Sequence, residues 1–144
     1  MKFYITGTRR GLGKYLADNL QCVDSLDKCD VFINCKHDHF MQVDMLAKAA
    51  ELNKRIINIG SNAADWFCAN NNYWKYSVEK MALDNANEIL FYQGIDTTIL
   101  RFGWIDTERV ELIKEPKISK QYVLDLILWI LDQPYKIKEM TVTP

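Results

Sequence analysis

The stretch Lys2-Phe3-Tyr4-Ile5-Thr6-Gly7-Thr8-Arg9-Arg10-Gly11-Leu12-Gly13 decides the fold. Residues 2–6 are a short β-type run, and three glycines carry it directly into a helical stretch that ends near Leu20. This succession of strand, glycine turn and helix has a physical purpose. One glycine permits a tight turn, one lets the backbone approach a pyrophosphate, and one allows close helix–strand packing. The N-terminus of the helix then attracts phosphates. The spacing, Gly7-x3-Gly11-x-Gly13, departs from the commoner dinucleotide pattern. A glycine triplet taken alone is an ordinary turn. Its position after the first strand and at the opening of the first helix is what points to a nucleotide, and Arg9 and Arg10 add positive charge at the mouth.

The same alternation continues. Residues 30–35 read as a buried strand, with Val31, Phe32 and Ile33 continuous as expected where both faces are covered. Residues 22–28 before it leave room only for a stub of strand and a turn. A helix is predicted over residues 40–52, with Met41, Met45, Leu46 and Ala49 on one face, and a strand over 54–59. Residues 61–72 are loop-like, with Asn70-Asn71-Asn72 the strongest turn signal, and a long helix follows over 73–92, stopped by Gly94. Residues 96–101 form a strand, 103–117 an irregular segment, 119–132 a helix capped by Ser119 and closed before Pro134, and 137–142 a last short strand. The expected fold is α/β: a Rossmann-like three-layer αβα sandwich on a mostly parallel, reduced sheet, joined by right-handed crossovers.

With 144 residues, 49% hydrophobic and 26% charged, the chain fits a single domain over 1–144 with material for a core. A net charge of -1 leaves no broad footprint for nucleic acid or an anionic membrane, so neither partner is expected. Cys22, Cys29, Cys35 and Cys68 show no paired spacing and follow no secretory signal, which favours reduced thiols and a cytoplasmic location. Cys35, His37 and His39 have the chemistry of zinc ligands, but a structural site needs four and no fourth is near, so no metal is expected.

Tyr76 and Lys80 stand four apart on the predicted helix, so both side chains lie on one face. Free tyrosine titrates near pH 10, too high for efficient proton transfer at neutrality, and a nearby ammonium lowers that value. Tyr76 is therefore a candidate acid/base. Ser61 ends a strand at the carboxyl edge of the sheet, where ligands of open α/β folds collect, and its hydroxyl can polarise a carbonyl. Taken singly, Tyr-x3-Lys occurs by chance on amphipathic helices, and a serine after a strand is usually a cap or turn.

Taken together and in order, these residues resemble the short-chain dehydrogenase/reductase family, which carries a Thr-Gly-x3-Gly-x-Gly loop and a Tyr-x3-Lys pair with an upstream serine. Thr6 to Gly13 is similar to the loop, residues 30–35 to the strand before the family's Asn-Asn-Ala-Gly segment, and residues 56–61 to its serine strand. Arg101-Phe102-Gly103-Trp104-Ile105-Asp106-Thr107 is similar to the family's Arg-Pro-Gly-x-Val-x-Thr, which contacts the nicotinamide carboxamide. The resemblance implies catalytic roles for Ser61, Tyr76 and Lys80. It implies a cofactor site of Gly7, Thr8, Arg9, Arg10, Gly11, Leu12, Gly13, Asn34, Tyr76, Lys80, Gly103, Ile105 and Thr107, with Lys80 also holding the nicotinamide ribose. Tyr73, Trp66, Phe67 and Trp104 are candidates to wall a pocket over the nicotinamide, or plain core.

The departures are as specific as the matches. Gly13 and Asn34 are only 21 residues apart, where the family places a second strand, another crossover and a third strand. The resemblance is thus to a shortened member with a depleted adenosine side. Asn34-Cys35-Lys36-His37 replaces Asn-Asn-Ala-Gly, and Phe102 replaces the proline. No asparagine occupies the helix that carries the family's fourth catalytic residue, where Asp44 is the nearest polar candidate. In the family an acid at the end of the second strand selects NAD, and a basic residue before the second glycine favours NADP. Asp24 fits the first and Arg10 the second, and NADP(H) is slightly favoured over NAD(H).

The implied activity is NAD(P)-dependent oxidoreduction, with hydride transfer between the nicotinamide and a small carbonyl or alcohol substrate. The alternatives are a nucleotide-binding regulatory protein without catalysis and an oligomeric assembly module. A homodimer or homotetramer is expected through the helices near 40–52 and 73–92.

Overall fold

Short runs of β-branched and aromatic residues build the centre of the molecule. In the computed structural model, which describes residues 1–65 and 73–144, five strands lie side by side in chain order: β1 (Phe3–Ile5), β2 (Val31–Asn34), β3 (Arg55–Ser61), β4 (Thr97–Phe102) and β5 (Glu139–Val142). Their pairings are all parallel, with Ile5 opposite Ile33, Ile33 opposite Ile57 and Ile59 opposite Leu100. Four helices cover the sheet: α1 (Gly11–Asn19), α2 (Met41–Glu51), α3 (Trp74–Tyr92) and α4 (Lys120–Leu131).

The period of two along each strand sorts the side chains into two cores. On one face Ile5, Ile33, Ile57 and Leu100 pack with Leu12 and Leu16 of α1 and Val123 and Ile127 of α4. On the other, Phe32, Ile56 and Ile99 pack with Leu46 and Ala49 of α2 and Leu83 of α3. Burial on both faces explains why the central strands read as unbroken apolar runs.

The stub expected after α1 is present. Cys22 pairs in parallel with Phe3 on the edge of β1 away from β2, and Phe3 N donates to Gln21 O at 2.9 Å while Val23 N donates to Phe3 O at 2.8 Å. The chain therefore leaves β1 to one side, then returns through a 3₁₀ turn (Leu26–Lys28) to β2 on the other. Such a reversal makes a crevice at the carboxyl edge of β1 and β2.

The crossovers do not all share the expected hand. Those over α2 and α3 step away from β1 on one face, and the one over α1 steps the opposite way on the other face, so these three agree. The β4–α4–β5 connection steps in the direction of α2 and α3 but lies on the α1 face, which gives it the opposite hand. Against the general preference for right-handed connections, the apolar stripe of α4 is held on that face by α1. Arg55 holds its end, donating to Leu131 O at 2.7 Å and Ile130 O at 3.0 Å and so satisfying terminal helix carbonyls.

Local signals set the helix ends. Ser119 Oγ accepts from Tyr122 N at 3.1 Å and starts α4. Gly94, with φ +94, follows α3 in a conformation that glycine adopts without strain. On α2 the buried residues are Gln42, Leu46, Ala49 and Ala50, whereas Met41 and Met45 are only half-buried. The inward face is thus rotated from the one expected, and it brings a glutamine into the core. No helix among the described residues is long and apolar enough to cross a membrane.

Candidate active site

The glycine loop is built as its residue types require. A Cβ on Gly13 would lie 2.1 Å from Gly7 O, so only glycine lets α1 start this close to the loop. Gly7 (φ +76) and Gly11 (φ +63) lie in the left-handed region, and a Cβ on Gly7 would meet Lys36 Cβ at 3.1 Å. The Thr6 hydroxyl accepts from Cys35 N and Lys36 N, both at 3.0 Å, and ties the end of β1 to the turn after β2. Arg10 makes no side-chain cap to α1, and the first turn of that helix carries no acid. Its N-terminal amides are thus suited to an anion. Thr107 faces Gly11, its Cγ2 3.7 Å from where a Cβ would be.

Beside this loop lies an open cavity of about 490 Å³, lined by Thr6, Gly7, Thr8, Cys22, Val23, Asp24, Lys36 and Met41 among others. Asp24, just past the stub, is paired with Lys28 at 2.9 Å. Arg9 and Arg10 are exposed. Leu12 points into the core, so any ligand contact it makes is through its main chain. Asn34, expected to meet the cofactor, is instead fully buried, and its Nδ2 donates to Gln42 O at 2.7 Å and Asn58 Oδ1 at 2.9 Å.

At the carboxyl ends of β3 and β4 the structure brings Ser61, Tyr76 and Lys80 together. Ser61 Oγ accepts from Ala63 N at 3.0 Å, the turn role that a serine here ordinarily has, and its hydroxyl acts to lower the pKa of the Tyr76 phenol. Lys80 is buried. Its Nζ lies 5.6 Å from the centroid of the Tyr76 ring and donates to Gln42 Oε1 at 2.8 Å and Ile59 O at 3.1 Å. Burial lowers its pKa to about 8.

The phenol departs from expectation. Burial pushes Tyr76 above the ordinary tyrosine value, the Ser61 hydrogen bond and the Arg109 charge pull it down, and Glu79 pushes it up. Lys80 is not among the groups that shift the phenol, so proximity on one helix face is outweighed here by burial.

Several residues at the site carried no separable signal in the sequence. His37 Nε2 lies 2.7 Å from Glu79 Oε2, and its ring meets the Tyr76 ring edge-on at 4.7 Å between centroids. Burial and then the Lys80 charge hold His37 below the usual histidine range, against Glu79. Among the described residues no three His, Cys, Asp or Glu side chains converge in a way that could hold a metal ion. Asp44 is exposed, and Gln42 occupies the inward position. Asn58 extends the buried network, donating to Asn87 Oδ1 at 3.1 Å and Thr97 Oγ1 at 3.0 Å. Polar residues inside the apolar runs of β2 and β3 were the available hint, because asparagine is depleted in strands.

Gly103 packs beside Asn62 and Pro144, and Ile105 bridges to Ile118. Tyr73 and Trp104 are exposed, whereas Trp66, Phe67, Cys68 and the asparagine turn lie outside the described residues.

No family model and no curated protein matches the sequence. Solved structures do match. A short-chain dehydrogenase from Burkholderia cenocepacia in complex with NADP superposes with a TM-score of 0.77 at 18% identity, over 98% of this chain and 87% of that one. A short-chain dehydrogenase from Streptomyces avermitilis gives 0.72 at 12%, over 98% and 86%. The 3-alpha-hydroxysteroid dehydrogenase from Pseudomonas sp. complexed with NADH gives 0.70 at 12%, over 99% and 95%. The chain has the Rossmann-like fold of the short-chain dehydrogenases, with its second strand reduced to a stub.

Proposed function

We propose that the chain is a short-chain dehydrogenase/reductase that uses a nicotinamide coenzyme to interconvert a carbonyl and an alcohol. The observation that carries this reading is the meeting of Ser61, Tyr76 and Lys80 at the same carboxyl edge of the parallel sheet as the glycine cradle. The cradle fits a diphosphate: Gly7, Gly11 and Gly13 leave backbone amides open where any Cβ would crowd the turn or strain it.

When bound, the coenzyme supplies or accepts the hydride. The main-chain amides of residues 7–13 hold its phosphates, and Thr107, Ile105 and Gly103 line the nicotinamide end. Ser61 donates to the substrate oxygen. Tyr76 Oη passes the proton to that oxygen during reduction and takes it back during oxidation, and Lys80 contributes the positive field that favours the phenolate. Arg9 and Arg10 favour the extra phosphate of NADPH, whereas Asp24 beside the cavity favours the free ribose of NADH.

A fluorescence titration with NADPH and NADH, followed by turnover on a panel of carbonyls and alcohols, tests the reading. Coenzyme binding with turnover that Tyr76→Phe abolishes is the expected result. Binding without turnover on the whole panel favours the second reading, a nucleotide-responsive protein without catalysis. The observation behind it is the ammonium tied to Gln42 and Ile59 while the phenol's pKa is raised.

Self-association is part of the proposal. Trp74, Val78, Met81, Ile89 and Tyr92 are exposed on α3 at spacings that place them along one side of the helix. Exposed apolar residues gathered on one side, here with Asn85 and Glu88 between them, mark an interaction surface, and a two-fold pairing of α2 and α3 with a second copy would cover it.

A further inference from the structure

Gln42 lies in the first turn of α2 and is 3% exposed. Every polar atom of its side chain is used. Nε2 donates to Asn34 O at 2.8 Å and Ile59 O at 3.0 Å, and Oε1 accepts from Lys80 Nζ at 2.8 Å. This pattern fixes the orientation of the amide. The flipped group would set its N–H against an ammonium, which only donates, and its oxygen against two carbonyls. Asn34 Nδ2 donates to the main-chain carbonyl of Gln42 at 2.7 Å and locks the residue from its own backbone.

Lys80 Nζ has three hydrogens. One goes to Gln42 Oε1 and one to Ile59 O, and both acceptors are rigid parts of the core. We propose that Gln42 is a positioning residue, whose amide oxygen acts with the Ile59 carbonyl to turn the Lys80 ammonium so that its remaining N–H is presented to Tyr76 and the coenzyme side. This rests on the reading of Tyr76 and Lys80 as the proton-handling pair.

The choice of an amide has a physical reason. A buried ammonium needs acceptors in place of water. A carboxylate would provide them and at the same time cancel the positive field at the phenol, whereas a neutral amide holds the cation and leaves its field intact. The charged and titratable groups that face Lys80 are the Cys35 thiol after β2, His37 beside Tyr76, and Glu79 and Asp84 on α3. None of them makes a hydrogen bond to Nζ among the described residues.

The test is an NMR titration of the lysine Cε–Hε signals in wild type, Gln42→Met and Gln42→Glu, beside NADPH-dependent turnover of the same proteins. Loss of the acceptor in Gln42→Met is expected to lower the Lys80 midpoint by about one unit, and the carboxylate of Gln42→Glu to raise it by about as much. The pH limb of kcat is expected to move with the midpoint while the KM for the carbonyl stays within about twofold. In wild type the Gln42 side-chain amide signals should titrate with the Lys80 midpoint, a reading that needs no variant. An unmoved midpoint in both variants, or a Gln42 amide indifferent to Lys80, overturns the proposal, as does a lower melting temperature with the midpoint unchanged. A midpoint that moves in a protein with no turnover on any carbonyl upholds the hold on the ammonium and sinks the oxidoreductase reading instead.

Discussion

Lys80 Nζ lies over the Tyr76 ring, 5.6 Å from its centroid, and donates to the carbonyl oxygens of the Gln42 side chain and Ile59. The two side chains share one helical face because they are four residues apart. Their relation is nonetheless set by α2 and β3, whose Gln42 and Ile59 hold the cation. Burial raises the phenol, and the Ser61 hydroxyl and the Arg109 charge act against it.

Tyr76→Phe removes one oxygen and keeps the ring that His37 packs against at 4.7 Å. Carbonyl reduction is expected to fall by about 10²–10⁴-fold, the usual contribution of a positioned general acid. Coenzyme affinity by fluorescence should hold. Turnover equal to wild type would remove Tyr76 from the mechanism.

Lys80 makes stability depend on pH in a definite direction. Its folded pKa of about 8 lies below the ordinary 10.5, so between those values the unfolded chain binds more protons than the folded one. Stability from this residue therefore rises with pH across that window, by about 3 kcal/mol, and is flat below it. Urea unfolding at pH 7 to 10.5 should show this gain in wild type and lack it in Lys80→Met. Parallel curves for the two proteins would contradict the assignment.

Gly13→Ala places a methyl 2.1 Å from Gly7 O, against backbone that cannot step aside cheaply. A loss of about 1–3 kcal/mol is expected on overpacking grounds. Because the displaced atom belongs to the glycine loop, coenzyme binding should weaken as well. Urea midpoints and fluorescence titration read the two effects separately, and unchanged values in both would mean the loop has room that its geometry denies.

Met81→Glu and Ile89→Glu put charge on the exposed side of α3, where the parent residues are 49% and 55% exposed. Light scattering at micromolar concentration should show a dimer or larger species in wild type and a monomer in the double variant, with unchanged far-UV circular dichroism. A wild-type monomer would end the pairing proposal.

Much of the fold was legible because its signals are local. Ser119 opens α4, Gly94 closes α3, and the unbroken Val31-Phe32-Ile33 run marks a strand covered on both faces, all readable within a few residues. Even the stub at Cys22 followed from chain length, since too few residues separate Gly13 from Asn34 for more. By composition Met41 is the better candidate for burial on α2, yet Gln42 is the residue turned inward. Its amide donates to Asn34 O and Ile59 O and accepts from Lys80 Nζ, and these three bonds to groups on other elements reverse that order.

The sequence by itself determined the order of strands and helices, the glycine turn and the Tyr76–Lys80 spacing, because each depends on φ/ψ preference or on a short periodicity. Only the tertiary structure decided that Asn34 turns inward, that His37, held by Glu79, packs edge-on against Tyr76, and that α4 crosses with the opposite hand. Those outcomes depend on contacts between separate elements of the fold. Which buried donor finds which acceptor is settled by the packing of whole elements, and no local pattern encodes it.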